Sequence, residues 1–177
     1  VIQPDGSGDF PTIQAAINIA ANADTIALAD GVFTGAGNTN LDFVGKGVVV
    51  RGLNRDPELA IIDCGGSFNT PNRAFRIFRG ENSFSVVSYL TIRNGDVYED
   101  GGAVLVENSS PTIHNVIFTG NHADRGAAIF ANGGNPVIRD CQIIANEGRF
   151  FAGGFGFHNS EASVSDCLFR NNWGGRA

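Results

Sequence analysis

One pattern written three times between residues 102 and 172 constrains this chain more than any other feature. Its first half reads GAVLVEN (102–108), GAAIFAN (126–132) and GGFGFHN (153–159), so the copies lie 24 and 27 residues apart. Its second half reads PTIHNVIFTGN (111–121), PVIRDCQIIAN (136–146) and SVSDCLFRNN (163–172). Each half is a short apolar segment closed by Asn, the signature of a strand followed by a turn. A period of about 25 residues built this way specifies a solenoid, because one copy buries no hydrophobic face alone while stacked copies bury a continuous one.

Stacking places equivalent residues above one another at the roughly 4.8 Å spacing of paired strands, so like residues form ladders. Val116, Cys141 and Cys167 are expected to make one inward ladder and Phe118, Ile143 and Phe169 another. Asn108, Asn132 and Asn159 are expected to stack at one turn, and Asn121, Asn146 and Asn171 or Asn172 at a second. Asn suits such positions because it tolerates left-handed backbone and its amide bonds to the copies above and below. Leu90 and Ile92 precede Val116 and Phe118 by 26 residues, which carries the period back one coil. Upstream segments such as RAFRIFRG alternate apolar with polar residues, as in Phe75 and Ile77, the period of a strand with one buried face. Six to seven coils result, a single domain over residues 1–177 shaped as a rod roughly 30 Å long.

One segment breaks the pattern. Ile13, Ala16, Ile17 and Ala20 form the apolar stripe of an amphipathic helix over residues 11–21, with Pro11 in its first turn and Asp9 as N-cap. A helix there covers the bare end of the coil.

Composition removes several function classes. The net charge is −6, and the cations are a lone Lys46 and scattered Arg, so no basic stripe exists to meet a nucleic-acid backbone. No apolar run approaches the roughly 18 residues that span a bilayer. There is no Met, even at position 1, which removal of a secretion signal leaves and a chain boundary set elsewhere leaves equally; an extracellular or cell-surface location is expected. Cys64, Cys141 and Cys167 are odd in number and form no CxxC, so they read as small buried residues rather than a disulfide framework or zinc site.

The opening DGSGDFPTIQAAINIA resembles the start of pectin methylesterases and of many right-handed parallel β-helix proteins. The GGA and FxxN units, Gly101 to Ala103, Phe118 to Asn121 and Phe169 to Asn172, resemble the polymorphic outer-membrane-protein repeats of bacterial surface β-helices. The resemblance implies an all-β, right-handed parallel β-helix of the pectin-lyase-like superfamily. That superfamily includes polysaccharide lyases, esterases and hydrolases together with adhesins that perform no catalysis, and fold does not choose among them. The esterases carry a DFIFG nucleophile segment and a GRPW segment; neither string occurs here, and YLTIRNG (89–95) reads as a strand.

A lyase of this kind implies a carboxylate cluster holding calcium and an Arg or Lys to take a proton. The densest candidate is DVYED (96–100), offering Asp96, Glu99 and Asp100, with Arg93 and Arg125 brought near by coiling. The plainer reading is a solvated acidic loop, since no ordered ligand spacing recurs. No cofactor is otherwise implied. His114, His122 and His158 fall in different coils and read as surface residues, with no Ser, His and Asp arrangement among them. Asp63, Asp140 and Asp166 each precede a Cys, carboxylate outward and thiol inward, with Arg139 or Arg170 to neutralise the stacked pair.

Aromatic rings stack on sugars, which makes Phe150, Phe151 and Trp173 candidate contacts for a polysaccharide or a protein, while Phe155 and Phe157 alternate as an inward pair. Asn108 heads the only N-glycosylation sequon, although its turn position already accounts for it. Residues 172–177 begin another turn with no capping element, an edge that templates pairing with a neighbouring chain. Head-to-tail pairing with a second copy makes a filament, with residues 1–3 as a strand to donate, and a piece of a longer solenoid would look the same. Two functions are therefore expected to compete: a non-catalytic structural or adhesive β-helix, and a calcium-dependent lyase or glycan-binding module.

Overall fold

The computed structural model describes residues 1–175, so Arg176 and Ala177, part of the expected unfinished turn, lie outside them. One coil shows how the rest are made. Thr112–Thr119 runs along one wall, bends at Asn115 (φ 53°) onto a second, and ends at Gly120 (φ 62°). After the short strand His122–Arg125 the chain crosses to a third wall, Ile129–Asn132, and turns back at Gly133 (φ 72°). Single left-handed residues thus make the corners. The first corner stacks Tyr89, Asn115, Asp140 and Asp166, and the second Asn94, Gly120, Ala145 and Asn171, all with φ between 51° and 62°. Asn, Asp and Gly are the residue types that adopt this conformation most readily, which is why the turns were visible in the sequence.

The strands of these three walls pair in parallel and in register. On the second wall Phe33, Ile62, Ile92, Phe118, Ile143 and Phe169 are successive partners, one from each of six coils. Ile26, Val50, Val87, Ile113, Ile138 and Val164 do the same on the first. The predicted phenylalanine and isoleucine ladder is present, and Phe118 and Ile143 are completely buried. The final coil differs, because Phe169 is 49% exposed and Val164, Leu168 and Phe157 are also open to solvent. Cys141 is buried below a half-buried Cys167, as the thiol ladder requires.

Two expectations about asparagine need correction. On the third wall Ile129 pairs with Val104 and Phe155, so the copies are offset by 25 and 26 residues rather than 24 and 27. Asn132 therefore stands beside Glu107 and His158, and Gly133 fills the left-handed position that Asn108 and Asn159 hold in the flanking coils. Matching Gly to Gly and Asn to Asn shifted the middle copy by one residue. In a strand that shift would turn every inward side chain outward, so burial fixes the register.

The second correction concerns Asn121, Asn146 and Asn172, whose ladder exists but lies inside the coil, one residue after the left-handed corner. The Asn146 Oδ1 accepts from the Asn121 backbone N–H (3.0 Å) and Nδ2 (2.9 Å), and Asn172 Oδ1 accepts the same pair from Asn146 (3.0 Å each). Their Nδ2 groups donate to the carbonyls of Ile92, Phe118 and Ile143. Asn172, not Asn171, belongs to this column.

The helix spans Ile13–Ile19, shorter than expected, and its N-cap is Thr12, whose hydroxyl accepts from Ala15 N–H (3.2 Å). Asp9 instead holds the terminal ammonium of Val1. Lys46 closes the other end, donating from Nζ to the carbonyls of Ile17 (2.9 Å) and Asn18 (2.8 Å). Ile13, Ala16 and Ile17 are buried in the same core as Ile26 and Leu28, so the helix does cover that end. The first strand is not free for donation: Ile2 bridges Leu28 of its own chain, with N–H to Ala27 O at 2.8 Å. Among the described residues no helix is long and apolar enough to cross a membrane.

Candidate functional site

Between the second and third walls the chain forms a narrow fourth one, from the loop at residues 96–100 through His122–Arg125 and Glu147–Phe151 to Trp173–Gly174. Bridges and strand pairing stack Asp96, His122, Glu147 and Trp173 as one column. This wall holds every residue nominated for metal or ligand binding.

The three carboxylates of the loop do not converge on one point. Asp96 pairs with Arg149, Glu99 with Arg73, and Asp100 takes both forks of Arg125, with Nε to Oδ1 at 2.7 Å and Nη2 to Oδ2 at 2.6 Å. Each arginine comes from a different coil, so the loop is braced from both sides along the rod. Arg73 is almost wholly buried; burial pushes its pKa down, opposed by the adjacent Glu99 carboxylate. Its Nη1 also donates to Asp100 O (2.9 Å), so the side chain holds the loop backbone as well. Arg93, expected nearby, instead bonds Asp63 at 2.8 Å. Among the described residues no three His, Cys, Asp or Glu side chains are grouped to hold a metal ion.

Arg149 joins the wall together. Its Nη1 donates to Val97 O (2.5 Å) and lies 3.6 Å from Asp124, while the guanidinium sits 4.6 Å from the Tyr98 ring centroid. Tyr98 meets exposed Phe68 edge to face at 4.7 Å. None of Arg149, Tyr98 or Phe68 was nominated from the sequence. Asp100 and Arg125 are one period apart, a spacing that reveals the pair, whereas Asp96 and Arg149 lie 53 residues apart and meet only because a long side chain crosses an intervening coil.

The aromatic candidates are all exposed. Phe150 and Phe151 are each 53% and Trp173 57% accessible, and a register shift between Gly148 and Phe151 bulges the strand there. Phe155 packs on the core, edge to face with Phe118 at 6.4 Å and Phe169 at 5.0 Å, while its expected inward partner Phe157 is left open on the final coil.

Of the histidines, His114 and His122 share one coil, where separate coils were expected, and His158 lies on the next. His114 Nδ1 is 2.9 Å from Asn115 Oδ1, His158 Nδ1 is 3.1 Å from Asn132 Oδ1, and His122 Nε2 is 3.6 Å from Glu147. Arg139 takes Asp140 at 2.7 Å, as expected. Burial raises the thiols of Cys64 and Cys167 above their ordinary range and that of Cys141 to about 12, which favours the unreactive thiol form.

A family model described as right handed beta helix region matches residues 18–177. Neither the curated proteins nor the solved structures contain a match to the chain.

Proposed function

This chain belongs to the right-handed β-helix family, and on that premise we propose that it is a non-catalytic structural or adhesive solenoid. The observation that supports this reading is the bracing of the 96–100 loop. Asp96, Glu99 and Asp100, the carboxylates a calcium-dependent lyase would need free, are each engaged by an arginine from another coil and serve as wall struts. An extracellular or cell-surface setting follows from the resemblance of the GGA and FxxN units to surface β-helices.

The reading also assigns a use to the final coil. Phe169 and Leu168 offer an apolar strand edge of the kind that pairs with a further β-coil. In a sample of the 177-residue chain that pairing takes the form of self-association. Head-to-tail stacking into filaments requires the helix and Ile2 to move aside, whereas two like edges meeting give a closed dimer. Sedimentation across a concentration series should show association, and Phe169→Lys should abolish it; a strictly monomeric wild type sinks this part. Negative-stain images separate fibres from dimers.

The second reading, a calcium-dependent lyase or glycan-binding module, is favoured by the exposure of Phe150, Phe151 and Trp173. Incubation with polygalacturonate or alginate and calcium decides the catalytic form. An ultraviolet signal from unsaturated product overturns the scaffold proposal, and loss of calcium binding in Asp96→Ala with Asp100→Ala would place the metal in the loop.

A further inference from the structure

A cleft of about 500 Å³ opens beside the early coils, away from the braced wall, and its lining includes Asn22, Val49, Asn82, Ser83, Phe84 and Val86. Its size falls within the range of small-molecule sites. Val49 and Val86 are register partners on adjacent strands and supply its apolar side. Phe84 is 73% exposed although its backbone is tightly held. Asn82 Oδ1 accepts Phe84 N–H (3.0 Å), Asn82 O accepts Ser85 N–H (2.9 Å), and Ser85 Oγ donates to Lys46 O (3.0 Å). Gly47 lets Phe84 approach closely, because a Cβ there would come 3.1 Å from Phe84 Cβ.

The two asparagines of the cleft have one orientation. Asn22 Oδ1 accepts Gly47 N–H (2.9 Å), so both asparagines have their oxygen engaged, while among the described residues neither Nδ2 donates to a protein acceptor. Among the described residues no ionisable side chain lines the cleft. Lys46 lies between two lining glycines yet reaches back to the helix carbonyls. The cleft offers no counter-charge to a carboxylate ligand, and its exposed amide donors favour a ligand that brings oxygen acceptors. A sugar ring satisfies both demands, with an apolar face for the phenyl ring and hydroxyl oxygens for the amides.

We propose that this cleft binds a pyranose unit of a neutral glycan, stacked on Phe84 and hydrogen-bonded by the Asn22 and Asn82 amides. The site is separate from the braced wall and the final coil, so it stands or fails independently of the scaffold reading. The test is an NMR titration of the isotope-labelled chain with cellohexaose, xylohexaose, mannohexaose and galactohexaose, and with hexagalacturonate as the charged control. At least one neutral probe should move the Asn22 and Asn82 side-chain amide signals while hexagalacturonate does not. Phe84→Ala, an exposed change that leaves the spectrum folded, should weaken binding roughly tenfold or more. Asn22→Asp keeps the acceptor for Gly47 and removes the donor, and should weaken binding several-fold. Phe150→Ala and Trp173→Ala should bind normally. The proposal is overturned if no neutral probe shifts these amides, if hexagalacturonate binds equally well, or if binding follows Phe150 and Trp173 instead.

Discussion

Among the described residues Asn146 is the most heavily bonded side chain of the interior. Its oxygen serves Asn121 and its amide reaches the carbonyls of Phe118 and Ile144 and the oxygen of Asn172. Removing it strands several buried partners at once, so Asn146→Ala should cost about 3 kcal/mol in urea unfolding. Asn146→Asp should cost a similar amount, because a carboxylate accepts but cannot donate. The repeated Asn was legible in the sequence; its burial was not, since exposed turns and an internal amide column call for the same residue. The thiols yield a second test at this scale. Burial holds the Cys141 proton up to about 12, whereas an unfolded chain releases it near 9.0. Stability from this group is therefore intact below pH 9 and declines as pH rises toward 12. In the native protein iodoacetamide should label half-buried Cys167 before Cys64 or Cys141.

At the level of strands and helix, the contrast between Phe118 and Phe169 measures what stacking contributes. Both occupy one ladder position, yet the first is sealed by neighbours above and below and the second only from one side. Phe118→Ala should destabilise by roughly 3–5 kcal/mol, and Phe169→Ala by clearly less in chemical denaturation. Ladder membership was readable because 3.6-residue and two-residue periods are distinct and inward residues repeat with the coil. The helix was readable from its apolar stripe, but its ends were not. Thr12 and the distant Lys46 decide them, and a cap donated from 28 or 29 residues away leaves no local signal. The one-residue slip on the third wall has a similar origin: Gly133 replaces Asn at a left-handed corner, so residue identity and register disagree there.

For the molecule as a whole, most ion pairs lie on the outer walls and each contributes roughly 0–1 kcal/mol. Asp63 is more enclosed. Burial pushes its carboxyl up, but hydrogen bonds from Asn94 and Arg93 outweigh this and leave its pKa below the ordinary 3.8. Stability from Asp63 is thus full at neutral pH and lost as pH falls below about 4. Thermal melts from pH 6 to 2 should show a shallower acid decline for Asp63→Asn than for the wild type. Of the braced wall, the 25-residue relation of Asp100 to Arg125 was accessible from the period, while Arg149 was hidden because its partners sit two periods back.

That long reach has a mechanical corollary. A rod whose coils touch only their nearest neighbours gives way under tension one coil at a time. Arg149 ties its own coil to Val97 and Asp96 beneath the intervening one, so the strand Glu147–Phe151 cannot peel without loosening the loop two levels down. In an optical trap, detachment should appear as a single lengthening of roughly 175 Å, about 50 residues at near-full extension. Arg149→Ala should split that event into two of about half the size.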